Sequence, residues 1–138
     1  ADESVRKAAD PLAVARAEAA DLLVIKAEPL GGIDRALALV AEAGLPAVVS
    51  SALDTSIGLA MGAELAARLP QLDHDCGLGT AALLADDVTA DPLRPVDGAI
   101  AVRPVAADAD ALRRLAADPA RTAWWRERLT RCHALLSG

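Results

Sequence analysis

The run Leu22-Leu23-Val24-Ile25-Lys26-Ala27-Glu28-Pro29-Leu30-Gly31-Gly32 constrains the fold more than any other stretch of the chain. Four apolar residues, two of them β-branched, lead straight into a lysine, and a Pro/Gly turn follows at once. That is the pattern of a buried strand whose last residue reaches the mouth of a pocket. A second apolar strand, Ala47-Val48-Val49, ends in Ser50-Ser51 twenty-four residues after Lys26, and Asp2 stands twenty-four residues before it. A third strand candidate, His74-Asp75-Cys76, ends in Gly77. Polar or small residues thus recur at strand ends with a period of about 24 to 26, the length of one strand-plus-helix unit.

Helical periodicity fills the gaps between these strand ends. Gly31-Gly32 leads into a stretch with Ile33, Leu37, Val40 and Ala41 at three- and four-residue steps, stopped by Gly44. Asp54 or Thr55 caps a later helix carrying Ile57, Met61, Leu65 and Leu69, and Pro70 closes it. Nearer the start, Asp10-Pro11 opens a helix to about Ala19, with Leu12, Ala15 and Ala19 on one face. Ala1 to Ser4 reads as the tail of a strand, followed by a loop to Asp10; with alanine rather than methionine first, the chain reads as a piece of a longer one. Alternating strands and helices with short connections give a parallel sheet with right-handed crossovers. An open doubly wound sheet and part of an eight-fold α/β barrel both satisfy this pattern. A barrel takes about 250 residues, so this chain would hold only its second half, in residues 1–80.

After Thr80 the composition changes. Residues 81–104 hold Pro92, Pro95, Gly98 and Pro104 with one short strand candidate, Ala99 to Arg103, so a loop-rich segment crossing the surface is expected. Two helices finish the chain: Asp108 caps the first, with Leu112 and Leu115 inward, and Asp118-Pro119 opens the second, with Trp125, Leu129, Cys132 and Leu136 as its stripe. Residues 81–138 are expected to form an extension packing on the barrel and its capping region.

Charge narrows the function classes. Fourteen basic residues against twenty acidic ones give a net charge of −6, and the basic residues are dispersed, so nucleic acid and anionic membrane surfaces are poor partners. With no Phe or Tyr, Ala, Leu and Val must carry the packing. Cys76 and Cys132 lie far apart without metal-type spacing or a secretory leader, which reads as reduced thiols in a cytoplasmic protein. No apolar run approaches the roughly 20 residues of a membrane span.

Asp2 and Lys26, ending adjacent strands one unit apart, should lie close together on the rim where α/β enzymes place their sites. A carboxylate and an ammonium about 4 Å apart attract by roughly 4 kcal/mol at an effective dielectric of 20, and the pair reads equally as a salt bridge of the scaffold or as chemistry. Glu3 points to the other side of the strand. Ser50-Ser51 and Thr55-Ser56 have the hydroxyls and the helix N-terminus to bind a carboxylate, or they cap that helix. Gly31-Gly32 more often serves a turn than a ligand. Gly77-Leu78-Gly79 lacks the third glycine of a dinucleotide loop. His74 reads as structural, His133 has no assigned role, and Trp124-Trp125 reads as a packing anchor.

Taken together, Ala1-Asp2-Glu3-Ser4, Lys26-Ala27-Glu28-Pro29-Leu30-Gly31-Gly32 and Ser50-Ser51-Ala52-Leu53-Asp54-Thr55-Ser56-Ile57-Gly58 resemble the C-terminal half of the enolase superfamily, muconate-lactonizing subgroup. Within it the Ser-Ser and Thr-Ser-x-Gly elements, His74-Asp75-Cys76-Gly77-Leu78-Gly79-Thr80 and the Trp124-Trp125 tail are most similar to the o-succinylbenzoate synthase family. The resemblance implies the C-terminal half of a (β/α)8 barrel, about strands five to eight. It implies a cytoplasmic lyase of menaquinone biosynthesis that eliminates water from 2-succinyl-6-hydroxy-2,4-cyclohexadiene-1-carboxylate, a small-molecule carboxylate. It further implies Asp2 as a ligand of Mg²⁺ (or Mn²⁺), Lys26 as the catalytic cation that stabilises the anionic intermediate, and Ser50, Ser51 and Gly79 as substrate-binding positions. An N-acylamino acid racemase or dipeptide epimerase of the same superfamily would instead use Lys26 as an acid–base group, and a non-catalytic half-barrel would use none of them. The other metal ligands, the acid–base lysine of strand two and the capping domain would belong to a missing N-terminal half. Alone, the chain is expected to be inactive and to self-associate through open strand edges.

Overall fold

The computed structural model describes residues 1–6 and 10–136. The chain opens with the one-turn helices α1 (Glu3–Arg6) and α2 (Ala13–Arg16), then runs through strand β1 (Leu23–Ile25), helix α3 (Ile33–Ala43), strand β2 (Ala47–Val49) and helix α4 (Ser56–Arg68). A 3₁₀ turn at Thr80–Leu83 begins the loop-rich segment, and α5 (Ala109–Arg114) and α6 (Pro119–Leu136) end the chain.

β1 and β2 pair in parallel, Leu23 opposite Ala47 and Ile25 opposite Val49. The ladder extends one position on each side. The Ala1 amine donates to the Leu22 carbonyl at 2.7 Å and the Val24 N–H donates to the Ala1 carbonyl at 2.7 Å. On the far side the Gly77 N–H donates to Val49 and the Ser51 N–H to Gly77, both at 2.9 Å. Four successive strand ends therefore lie side by side in chain order, as the recurring period requires.

Alternation along the strands separates two faces. Leu23, Ile25, Ala47 and Val49 are buried, whereas Val24 and Val48 on the other face are half-buried. The buried face meets α4 through Leu59, Ala63 and Leu65, with Ala36 of α3 and Val5 of α1 in the same core. Small side chains permit this close approach: a Cβ on Gly62 would come within 2.7 Å of a Leu78 methyl. Gly44 ends α3 in the left-handed region at φ 65°, where glycine carries no steric penalty.

Several expectations change in the structure. The helix expected from Asp10 to about Ala19 shrinks to α2, which buries no residue and so lacks the packed face that sustains a longer helix. Ala1 to Ser4, expected as the tail of a strand, joins the ladder only at Ala1, and Glu3–Arg6 turns into α1 where strand and loop were expected; the rest of the expected loop, residues 7–9, lies outside the described residues. The strand centred on Asp75 contracts to the single bridge at Gly77, and Ala99 to Arg103 forms only the Val96–Ala99 bridge around a turn at Asp97 and Gly98. Asp108 does cap α5, accepting from the Ala111 N–H at 2.7 Å. Leu112 and Leu115 nevertheless face outward, and Ala111 is the buried residue of that helix. On α6, Trp125, Leu129 and Leu136 are 55%, 72% and 86% exposed, so the expected stripe is not buried, and Trp124-Trp125 does not anchor the helix to the core. No helix among them is long and apolar enough to cross a membrane.

The core and the terminal helix should respond differently to truncation. Leu59→Ala removes a fully buried side chain and is expected to cost about 2–5 kcal/mol in chemical denaturation, whereas Leu129→Ala in this chain should change stability by less than about 0.5 kcal/mol.

Candidate functional site at the strand ends

The site follows from the ladder. Each strand stops at the same level, so the next residue of each segment stands on one rim: Asp2 after Ala1, Lys26 after β1, Ser50 and Ser51 after β2, and Leu78-Gly79 after Gly77. Lys26 lies on the face opposite the helices, in step with Val24, and its Nζ donates to Asp2 Oδ2 at 2.5 Å. The lysine side chain is 9% exposed and the aspartate side chain 29%. Such a pair is more strongly attracted than a surface ion pair, because little water screens it. The charge pair expected from spacing is therefore present, and it is the most enclosed of the ion pairs among the described residues whose side-chain exposures are known.

The two serines differ. Ser51 is buried; its hydroxyl donates to the Gly77 carbonyl at 3.0 Å and shares a 2.9 Å hydrogen bond with the Thr80 hydroxyl. Ser50 is half-buried and makes only longer bonds, 3.3 Å to the Ser51 carbonyl and 3.4 Å to the Gly77 carbonyl. A Cβ on Gly77 would sit 2.9 Å from Ser50 Oγ, so glycine is needed there for close approach. Gly79 is exposed, with space for a Cβ whose nearest neighbour is Pro95 Cγ at 3.9 Å. It shares a cavity of about 280 Å³ with Gly77, Pro95, Gly98 and Ile100. His74 and Cys76 line a different cavity of about 360 Å³ with Ala66, Leu72 and Ile100.

Thr55 and Ser56 do not present an open helix N-terminus. The first N–H of α4, that of Ser56, donates to the carboxylate of Asp87, a residue sequence reasoning did not single out, and Thr55 makes no side-chain cap. The only prior signal was a pair of acids, Asp86-Asp87, set in an apolar stretch. Thr80 was also missed; besides Ser51 it accepts the Asp54 N–H at 3.3 Å.

Glu28 turns back over the start of α4. A Cβ on Gly58 would lie 2.9 Å from Asp54 Cβ and 3.1 Å from Glu28 Oε1, so the glycine of the Thr-Ser-x-Gly element makes room for two acids. Glu28 as a residue is exposed, yet burial of its carboxyl end raises its pKa, and the charge of Asp54 pushes the same way. Gly31 and Gly32 serve the turn, with φ of 90° and 111° and the Gly32 N–H bonded to the Ala27 carbonyl at 2.8 Å.

A hard divalent cation takes about six oxygen ligands. Asp2 offers one carboxylate, already engaged by Lys26, and no group of three or more His, Cys, Asp or Glu side chains among the described residues can hold a metal. Among the described residues Asp2 is thus a single carboxylate and not a complete set of ligands.

Residues 1–106 match the Enolase C-terminal domain-like family. The o-succinylbenzoate synthase of Mycolicibacterium smegmatis is 54% identical over 136 residues, which is 99% of this chain and 42% of that protein. The o-succinylbenzoate synthase of Mycobacterium tuberculosis is 53% identical over the same 99% of the chain and 41% of its own length. The chain thus spans about two fifths of the curated relatives it matches. Among solved structures, a probable mandelate racemase from Alicyclobacillus acidocaldarius superposes with a TM-score of 0.68 at 35% identity, over 82% of this chain and 32% of that one. Muconate cycloisomerase from Pseudomonas fluorescens gives 0.71 at 26% identity, over 81% and 33%.

A raised pKa means that the folded state favours the protonated Glu28, so the wild type loses stability as pH rises through that pKa. Glu28→Gln, which stays neutral, should be the more stable protein at neutral pH, with an advantage that vanishes as pH falls toward 4.5; thermal melts across pH would read it.

Proposed function

The chain belongs to the Enolase C-terminal domain-like family, its α/β fold being part of a (β/α)8 barrel, and from that premise we propose that it is the C-terminal part of an o-succinylbenzoate synthase. Residues 1–80 supply the second half of the barrel, and residues 81–138 form an extension that packs on the barrel and the capping region of the complete protein. The substrate class is a small carboxylate, 2-succinyl-6-hydroxy-2,4-cyclohexadiene-1-carboxylate, from which a proton at the carboxylate-bearing carbon and the neighbouring hydroxyl leave as water to give 2-succinylbenzoate in menaquinone biosynthesis.

One observation carries the reading: a nearly enclosed lysine at one strand end, bonded at 2.5 Å to an aspartate at the next, in a chain more than half identical to proteins of that name. Removal of the proton leaves negative charge on the substrate carboxylate, and a cation already fixed in place stabilises that charge without having to reorganise. Lys26 is that cation. Asp2 keeps its ammonium oriented and, in the complete enzyme, would give one carboxylate to a divalent metal ion, Mg²⁺ or Mn²⁺, with further ligands from the rest of that enzyme. Ser50, Ser51 and Gly79 border the substrate, Ser50 with the least committed hydroxyl. The partner of the chain is the remainder of the same enzyme, and its compartment is the cytoplasm.

Two measurements test this. In the full-length enzyme Lys26→Ala should lower kcat by about 10²-fold or more; unchanged turnover would return the lysine to the scaffold. If α-proton exchange of N-acylamino acids outpaced dehydration, the protein would be a racemase in which Lys26 moves a proton. Calorimetric titration of the isolated chain with Mg²⁺ should give a dissociation constant weaker than about 10 µM, and tighter binding would contradict a metal site completed elsewhere.

A further inference from the structure

Asp87 is 5% exposed and is the buried carboxylate of the core among the described residues. It lies outside every strand and helix, yet four hydrogen bonds converge on it. Oδ2 accepts from Ser56 Oγ at 2.6 Å and from the Ser56 N–H at 3.1 Å; Oδ1 accepts from the Val88 N–H at 2.7 Å and, at 3.3 Å, from the Ser56 N–H again. Ser56, wholly buried, accepts the Leu93 N–H on its own oxygen at 2.7 Å. A charged acceptor at the positive end of a helix makes stronger bonds than a neutral cap. The start of α4 is thereby fixed by a residue 31 positions further along the chain.

The same helix start holds the rim. Residues 51–55 join β2 to α4. Ser51 is tied to Gly77 and Thr80 at one end, Asp54 is tied to Thr80 near the middle, and Ser56 is tied to Asp87 at the other. Ala52 and Leu53 between these ties are exposed. The ladder holds the backbone of Ser50 and Ser51, whose N–H groups donate to the Ile25 and Gly77 carbonyls at 2.9 Å, so a shift of α4 along its axis would pass into residues 52–55 beside them.

We infer that Asp87 is a positioning residue: its carboxylate, buried against the first turn of α4, sets the path of residues 52–55, which flank Ser50 and Ser51 on the substrate-facing rim. The inference rests on the reading of that rim as a substrate edge. It also answers what the N-terminus of α4 binds, since an internal carboxylate fills it.

The test uses the full-length enzyme. Asp87→Asn keeps the shape and removes the charge; Asp87→Ala empties a space that formate fits. In Asp87→Asn the amides of residues 51–55 should exchange about tenfold faster while those of β1 keep wild-type rates, and KM for the cyclohexadiene carboxylate should rise about tenfold with kcat changed less than about threefold. Formate should restore KM in Asp87→Ala and leave the wild type unaltered. Ser56→Ala, which keeps the charge but loses both the hydroxyl bond to Asp87 and the one from the Leu93 N–H, should give the same pattern. Unchanged exchange at residues 51–55 overturns the inference whatever the substrate. Faster exchange with an unchanged KM also overturns it, leaving Asp87 as a cap of the fold alone. A wild-type enzyme that does not dehydrate this substrate refutes the functional reading instead, and the exchange rates then still decide for or against Asp87.

Discussion

The parallel backbone ladder is the constraint on which everything else rests. It runs from Ala1 through β1 and β2 to Gly77, and because each step is made of main-chain hydrogen bonds it sets the level at which every strand stops. Side-chain direction along a strand has a period of two, so a slip of one residue at any step would turn Lys26 or Ser50 into the layer under the helices. The contact between Lys26 and Asp2 is a consequence of that alignment more than a cause of it: the two residues meet because the ladder brings Asp2 and Lys26 to the same rim.

The parts legible in the sequence are those governed by local pattern. The spacing of Asp2, Lys26 and Ser50 located the rim, since one strand-plus-helix unit fixes which residues end neighbouring strands. The stop of α3 at Gly44 followed from local chemistry, but the apolar rows were legible only in part: Ala36 is the buried residue of α3 while Ala41 is exposed, and α4 buries Leu59, Ala63 and Ala66 beside Leu65 while Ile57 is exposed. The cap of α4 was not legible, because Asp87 reaches it from outside any periodic element and a buried acid in an irregular segment leaves no spacing to read. The orientation of α5 and α6 failed for the opposite reason. Leu112, Leu129 and Leu136 do form apolar positions, but periodicity says only that a face wants burial, never that a partner is within reach.

The rim thus combines two kinds of support. Lys26 depends on a charge pair and on Ile25 and Ala27, both fully buried on either side of it. Ser51 depends on hydroxyl and carbonyl partners in the neighbouring segment. The loop-rich stretch after Thr80 is accordingly part of the site's frame: Thr80, Asp87 and Leu93 bond to the β2–α4 connection from the outside, and the burial of Asp87 and Leu93 ties a segment without strands or long helices to the core.

The distribution of aromatic rings has an optical consequence. The chain has no tyrosine or phenylalanine, and its two tryptophans are neighbours on α6, edge-to-face at 4.7 Å with the Arg121 and Arg128 guanidiniums within 6 Å of the rings. Near-ultraviolet absorbance and intrinsic emission therefore originate in the terminal helix alone. Emission from this protein is a natural gauge of whether α6 is covered or bare, while the core and the strand-end rim are spectroscopically silent.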